Sequence, residues 1–176
     1  MKIAVARETV AGERRVALTP DQVSRLVKKG WEIHVEAGAG EASLLPDAAY
    51  EEAGAKVVGD RQSLWKEADL LVKVAVPTEE EVALLPEGSM VASLLNPLGQ
   101  PEIIQKLADK KITALGMELI PRTSRAQSMD VLSSQAGVAG YKAVLLAAAA
   151  LPKFFPMLTT AAGTIRPAKV FVIGAG

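Results

Sequence analysis

Cysteine is absent from the 176 residues, which excludes disulfides, thiolate-held metals and a cysteine nucleophile. Histidine occurs once, at His34. That is too few for a histidine metal cluster, although carboxylate sites stay open. An excess of either charge is missing too, because 20 basic and 20 acidic side chains cancel. The electrostatic footprint of a nucleic-acid binder is therefore lacking. The longest uninterrupted apolar run, Ala143 to Leu151, falls well short of the ~20 residues that span a bilayer. Met1 leads directly into the strand-like run Lys2 to Ala6, so no signal peptide is visible and a soluble, cytoplasmic chain is expected. What the sequence does have is apolar material: 49% hydrophobic residues against 23% charged. That balance predicts a packed core rather than disorder, at a length suited to one domain or a domain and a piece of another.

Strand and helix signals alternate along the first two thirds. Ile3 to Ala6 reads as a short buried strand. Thr19-Pro20 then opens a helix, with the hydroxyl at the N-cap and proline at the first helical position, and Gly30 ends it. Trp31 to Ala37 alternates apolar and polar residues and reads as a strand with His34 on its surface face. Helices are predicted over Asp47 to Ala53, from Asp60 to Ala68, from Thr78 to near Leu85 and over Pro101 to Lys110. Strands are predicted over Lys56 to Val58, Leu70 to Val76, Ser89 to Leu95 and Ile112 to Leu119. Strands separated by such helices define βαβ units, so the fold class expected is α/β with a mostly parallel, Rossmann-like sheet flanked by helices. After a polar loop, a long helix is predicted from about Met129 to Ala150, stopped by Pro152 and Pro156. Thr159 to Pro167 reads as a loop and Lys169 to Ile173 as a buried strand. The expected division is a first domain over residues 1–126. Residues 127–176 then form a connecting helix and the start of a second, truncated Rossmann domain.

Five features could carry chemistry. The end Gly174-Ala175-Gly176 follows an apolar run, as in the glycine turn that lets a backbone approach a pyrophosphate. A lone Gly-x-Gly is equally a turn after a strand. The third glycine and the helix whose N-terminus supplies the phosphate site are not in the sequence, so no complete cradle is expected. Gly38-Ala39-Gly40 also follows a strand, but Pro46 interrupts what comes next, which makes it a βα loop. Arg14 and Arg15 sit at the carboxyl edge of the first strand, where ligands bind in open parallel sheets. Spacing alone favours solvated loop cations. Lys73, among apolar neighbours, is either a satisfied ion pair, an edge position or functional. Finally, Arg122 to Asp130 gathers two cations, an amide, hydroxyls and a carboxylate. Composition favours an ordinary interdomain loop, whereas a place between two domains favours a cleft site.

The runs Arg7-Glu8-Thr9, Glu13 to Pro20, Glu36 to Gly40 and Ala68 to Val74 resemble the N-terminal domain shared by alanine dehydrogenases and nicotinamide nucleotide transhydrogenases. Met117 to Arg122, continuing through Ser124 to Asp130 and Ser133-Ser134-Gln135, is similar to the NAD(H)-binding domain I of proton-translocating transhydrogenases. Two positions depart from alanine dehydrogenases, which carry a catalytic lysine where this chain has Ala75 and a catalytic histidine where it has Asn96. An amino-acid dehydrogenase needs such acid/base groups, whereas direct hydride transfer between nicotinamides does not. The arginine matching a substrate-carboxylate binder, Arg15, is accordingly read as structural. The resemblance implies an N-terminal fragment of an enzyme that transfers hydride between NAD(H) and NADP(H). It implies NAD(H) contacts at Arg122, Gln127, Asp130 and Ser133, joined by Gly174 and Gly176, with no catalytic acid or base. It further implies NADP(H) on a partner domain, a membrane-spanning proton-channel partner, a homodimer, and a cytoplasmic position peripheral to the inner membrane. The fragment alone is expected to be inactive. The alternatives are an alanine dehydrogenase-like oxidoreductase and a nonenzymatic interaction module of the same fold.

Overall fold

A computed structural model describes residues 1–174, which divide into two compact units, Met1–Ile120 and the residues from Pro121 onward. In the first unit, strands β1 (Lys2–Val5), β2 (Glu32–Glu36), β3 (Lys56–Val58), β4 (Leu70–Val72), β5 (Met90–Ser93) and β6 (Thr113–Gly116) form one sheet. All its pairings are parallel and its order is β3-β2-β1-β4-β5-β6. The connecting helices are α1 (Pro20–Lys28), α2 (Asp47–Glu52), α3 (Arg61–Lys66), α4 (Glu79–Leu84) and α5 (Pro101–Asp109). The expected α/β class is thus observed, and the strand order reverses between β1 and β4, the place where open α/β sheets form their crevice.

Both faces of the sheet are covered, and the two-residue period of each strand divides the core in two. Ile3 and Val5 of β1 join Val23, Ile33, Val35 and Tyr50 on one face. Ala4 and Ala6 join Leu64, Trp65, Leu71, Val82, Val91 and Leu107 on the other. The same division corrects the reading of His34. Its alternation onto the polar side of β2 suggested solvent, but His34 shares a face with its register partner Ala4, and α3 packs over that face. His34 is buried, and its Nε2 lies 2.6 Å from Glu32 Oε1.

Local signals place the helix ends. Asp60 caps α3 by accepting from the Gln62 N–H at 3.0 Å. Thr78 and Glu81 form a reciprocal capping box at α4. The far end of α4 is closed by Lys110, whose Nζ donates to the carbonyls of Val82, Ala83 and Leu85 at 3.1, 2.9 and 2.5 Å.

The second unit begins with a polar segment and a single 3-10 turn, Gln127–Met129, leading into α6 (Val131–Ala150). This helix starts two residues later than Met129 because Asp130 takes the N-cap position. It has 20 residues and a mean hydropathy of 1.2, enough by length and composition to cross a membrane. The sequence hid this because Lys142 interrupts the apolar run. None of α6 is buried within the described residues. Beyond it the expectations need correction. The segment Thr159 to Pro167, read as a loop, contains an antiparallel hairpin of β7 (Leu158–Thr160) and β8 (Gly163–Ile165). The Thr159 and Thr164 hydroxyls meet across it at 3.2 Å. Lys169 to Ile173, read as a buried strand, joins no ladder, and Val170 to Ile173 are exposed. An apolar run becomes a strand only beside a neighbour that takes its amides, and no such neighbour is present for it among the described residues.

Close approach fixes one glycine. A Cβ on Gly40 would lie 2.5 Å from the Leu45 carbonyl oxygen and 2.7 Å from Tyr50 Cε2. Gly40→Ala is therefore expected to destabilise the first unit by about 1–3 kcal/mol through overpacking. Urea unfolding monitored by tryptophan fluorescence measures this, and an unchanged midpoint would mean that the loop yields freely.

Candidate functional site

The crevice between β1 and β4 is filled by the protein's own charges. Lys73, immediately after β4, is buried, and its Nζ donates to Glu81 Oε2 at 2.6 Å, with Glu8 Oε2 at 4.0 Å. Glu81 Oε1 lies 3.3 Å from Arg61 Nη1, and Arg61 Nε donates to Glu36 Oε1 at 2.9 Å. Both cations lie near the Trp65 ring, its centroid 5.7 Å from the Arg61 guanidinium and 5.8 Å from Lys73 Nζ. Lys73 is therefore a satisfied ion pair. A buried charge needs such partners because removing it from water is costly.

Carboxyl groups also take up the amides that leave the sheet. Glu8 accepts from the Val74 N–H at 2.5 Å and the Ala75 N–H at 3.3 Å. Glu118, in the 3-10 turn Met117–Leu119 after β6, accepts from the Leu95 N–H at 2.8 Å and from the Asn96 N–H with the same oxygen. Glu36 accepts from the Arg7 N–H at 2.9 Å. Asn96 has a φ of +45°, a left-handed conformation that asparagine tolerates better than most residues. Its carbonyl accepts from the Gly99 and Gln100 N–H groups, each at 2.9 Å.

Arg14 and Arg15 line the same edge. Arg14 Nε donates to the Ala42 carbonyl at 3.1 Å. Arg15 forms a two-pronged pair with Glu13, from Nε at 2.8 Å and Nη2 at 2.6 Å. A cleft of about 220 Å³ beside them is lined by Arg7, Glu8, Glu13, Arg15, Gly38 and Glu41 among others. The hydrogen bond from Arg15 holds the Glu13 carboxyl below the usual carboxylate range and raises Arg15 in turn.

In the second unit, four residues singled out from the sequence lie on one short stretch. Asp130 is the N-cap of α6. It accepts from the Ser133 N–H at 3.0 Å and from the Ser133 hydroxyl at 2.6 Å. The Ser133 hydroxyl, then its N–H, and further off the Arg122 charge lower the Asp130 pKa. Arg122 and Gln127 are exposed. These groups offer hydrogen-bond donors and acceptors side by side. Gln127 offers both donor and acceptor, and a carboxylate has about four acceptor positions, so Asp130 keeps capacity beyond its two bonds to Ser133. Gly174 has a φ of +88°, the region that glycine enters without cost, as a tight glycine turn requires. Gly176 lies outside the described residues. No group of three or more histidine, aspartate or glutamate side chains able to hold a metal exists among the described residues.

The reversing strand order and the covered faces define a Rossmann-like α/β protein. Residues 4–139 match the family described as alanine dehydrogenase/PNT, N-terminal domain, and residues 143–176 its C-terminal domain. The chain belongs to the alanine dehydrogenase/PNT family. It is 45% identical over its whole length to an NAD(P) transhydrogenase subunit alpha of Haemophilus influenzae, covering 34% of that protein. It is 44% identical to the first part of the NAD(P) transhydrogenase subunit alpha of Rhodospirillum rubrum, again over the whole chain and 47% of that protein. A crystal structure of transhydrogenase from Sinorhizobium meliloti superposes with a TM-score of 0.94 at 44% identity, over the whole chain and 52% of that one. The alanine dehydrogenase of Halomonas elongata is less similar, at 36% identity over the whole chain and 48% of that protein. The chain thus spans from about a third to about half of the length of these relatives.

Sequence reasoning missed Glu81 and Glu118. A signal existed for Glu81, in the Thr78-x-x-Glu81 capping-box spacing. None existed for Glu118, whose partners lie 22 and 23 positions earlier.

Two outcomes are expected. Glu81→Ala leaves Lys73 buried without its closest partner and should cost roughly 3–5 kcal/mol, read as a lower urea midpoint for the first unit. Ser133→Ala removes the main cause of the low Asp130 pKa, so that pKa should rise towards the usual aspartate range. Because the folded-state value is depressed, the stabilisation from the cap is present above the usual aspartate pKa and is lost as the pH falls through the folded value. Carbon-detected NMR titration of Asp130 in the two proteins decides it, and identical curves would remove Ser133 as the cause.

Proposed function

We propose that this chain is the nucleotide-contacting front portion of an NAD(H)-binding transhydrogenase component. On this reading hydride passes between NAD(H) on this protein and NADP(H) on a partner domain, coupled to proton translocation by a membrane-spanning partner. The observation that carries the reading is full-length similarity to transhydrogenase alpha subunits, at 44–45% identity, combined with Ala75 and Asn96 where the alanine dehydrogenase resemblance calls for acid/base groups. Neither side chain can exchange a proton at neutral pH, and direct hydride transfer needs no such exchange.

The residues of the second unit then have distinct tasks. Gln127 would hydrogen-bond the carboxamide, Asp130 would accept from hydroxyl or amide donors, and Arg122 would set a cation beside them. Ser133 holds Asp130 in place through the two bonds described above. The bound nucleotide supplies the hydride, and the protein's contribution is positioning. Gly174 and Gly176 would open the pyrophosphate turn, which needs a helix N-terminus to complete it. The reading further assigns the protein as a homodimer, peripheral to the cytoplasmic face of the inner membrane through its partners. Residues 1–176 alone would be inactive.

The reading is tested by mixing the full-length protein with its NADP(H)-binding partner and following reduction of an NAD analogue by NADPH. Transfer should occur only when both are present. Robust alanine oxidation by the full-length protein alone would favour the alanine dehydrogenase reading instead. In the same system Gln127→Ala should slow transfer more than it weakens NADH binding. One neutral hydrogen bond contributes only ~0.5–1.5 kcal/mol, whereas a misaligned ring costs on the order of 100-fold in rate. A stopped-flow transfer rate equal to the wild type would remove Gln127 from the site.

A further inference from the structure

We infer that the first unit binds a water molecule between the Ser93 hydroxyl and the second carboxyl oxygen of Glu118, at the carboxyl end of β5 and β6. The inference concerns this unit alone and is independent of the function proposed above. It starts from two buried oxygens. Ser93 is fully buried, and its hydroxyl has no hydrogen-bond partner among the described residues. Glu118 Oε2 is buried and equally unpartnered, although Oε1 of the same carboxyl accepts from the Leu95 and Asn96 N–H groups. Buried polar atoms without partners are unfavourable and uncommon, and here two occur at the end of one strand pair.

The fold brings them to one place. Ser93 is the last residue of β5 and pairs in register with Gly116, the last residue of β6. Register partners on neighbouring parallel strands share a face of the sheet. Gly116 has no side chain to offer there, and Glu118 Oε2 takes up the space, 3.5 Å from where a Cβ on Gly116 would stand. The other oxygen is anchored 2.8 Å from the Leu95 nitrogen, two residues past Ser93. The carboxyl therefore leans from the end of β6 towards the end of β5, on the face that carries the Ser93 hydroxyl. Neighbouring strands lie about 4.8 Å apart. That is too far for a direct bond between groups standing over each, and within the span of two hydrogen bonds that meet at one water.

The chemistry of the pair selects the ligand. An ionised carboxylate only accepts, whereas a hydroxyl donates and accepts. A water can donate to Glu118 Oε2 with one proton and accept from the Ser93 hydroxyl, which meets the two polar partners that a buried water needs. Lys73 disfavours a cation in that place. Its N–H continues the ladder to the Ala92 carbonyl at 3.1 Å, so Lys73 flanks Ser93 on the side away from Gly116, and its ammonium is buried with Glu81 at 2.6 Å. A second positive charge beside it would be repelled, and a neutral donor is not.

The test is a high-resolution crystal structure of the full-length protein and of its Ser93→Val variant, with magnetisation transfer from water to the backbone amides of residues 93–96 measured in solution for both. The wild type should show one ordered water within hydrogen-bond distance of both Ser93 Oγ and Glu118 Oε2, and a water cross-peak in that segment. Ser93→Val replaces the hydroxyl by methyl groups and should lose both the water and the cross-peak, while Glu118 Oε1 keeps its two amides. A direct Ser93–Glu118 hydrogen bond in the wild type overturns the proposal. So does a wild-type structure with no water there, with a water touching only one of the two oxygens, or with a metal ion in its place. A folded Ser93→Val variant that keeps the water at wild-type occupancy overturns it as well. If that variant does not fold, the wild-type structure alone decides.

Discussion

The buried carboxyl of Glu81 is the pivot on which the first unit depends. It accepts from the Lys73 ammonium, from the Arg61 guanidinium and, at 2.9 Å, from the Thr78 N–H. Through these it joins the end of β4 and the start of α3 to the start of its own helix, α4. Arg61 extends the chain to Glu36 at the end of β2, and Glu8 adds the segment after β1. All of this sits where the strand order reverses, the point at which open parallel sheets ordinarily leave room for a ligand. Here two cations and three carboxyls occupy that place. A pair so buried contributes little net stability, yet becomes a large liability when one member is lost. Its effect is to hold five segments in one arrangement.

Much of the first unit was legible in the sequence because its signals were local. Thr78 with Glu81, Asp60, and Thr19-Pro20 mark helix starts by chemistry that acts over three or four residues. Short apolar runs between them gave the parallel sheet. His34 was misread for a reason equally physical: alternation reports a polar face, but only the tertiary neighbours of β2 decide whether that face meets water. In the second unit the apolar run after Lys169 satisfied every local rule for a strand, yet a strand is a relation between chain segments and this one has no neighbour among the described residues. The hairpin of β7 and β8 went unseen because its threonines and glycine resemble loop composition.

The candidate site divides along the same line. The polar stretch from Arg122 to Ser133 was visible from composition and from family resemblance. That Asp130 caps α6 and engages Ser133 twice follows from the structure, and it makes two of the four residues a single unit. Ala75 and Asn96 were legible as departures from alanine dehydrogenases. The structure shows what stands at these positions: backbone amides fastened by Glu8 and Glu118, and a left-handed turn suited to asparagine.

Lys110 has one further consequence. Its ammonium gives a hydrogen bond to each of three carbonyls at the end of α4, so its protons are committed. A neighbour, Lys111, carries its ammonium in open solvent beside Glu87. Two adjacent amines of the same chemical type thus differ in their partners, one held by three backbone carbonyls and the other by an exposed carboxylate. An acylating reagent would modify Lys111 faster than Lys110, whose three hydrogen bonds must first break, so the sequence contains, side by side, a reporter of that end of α4 and its internal reference.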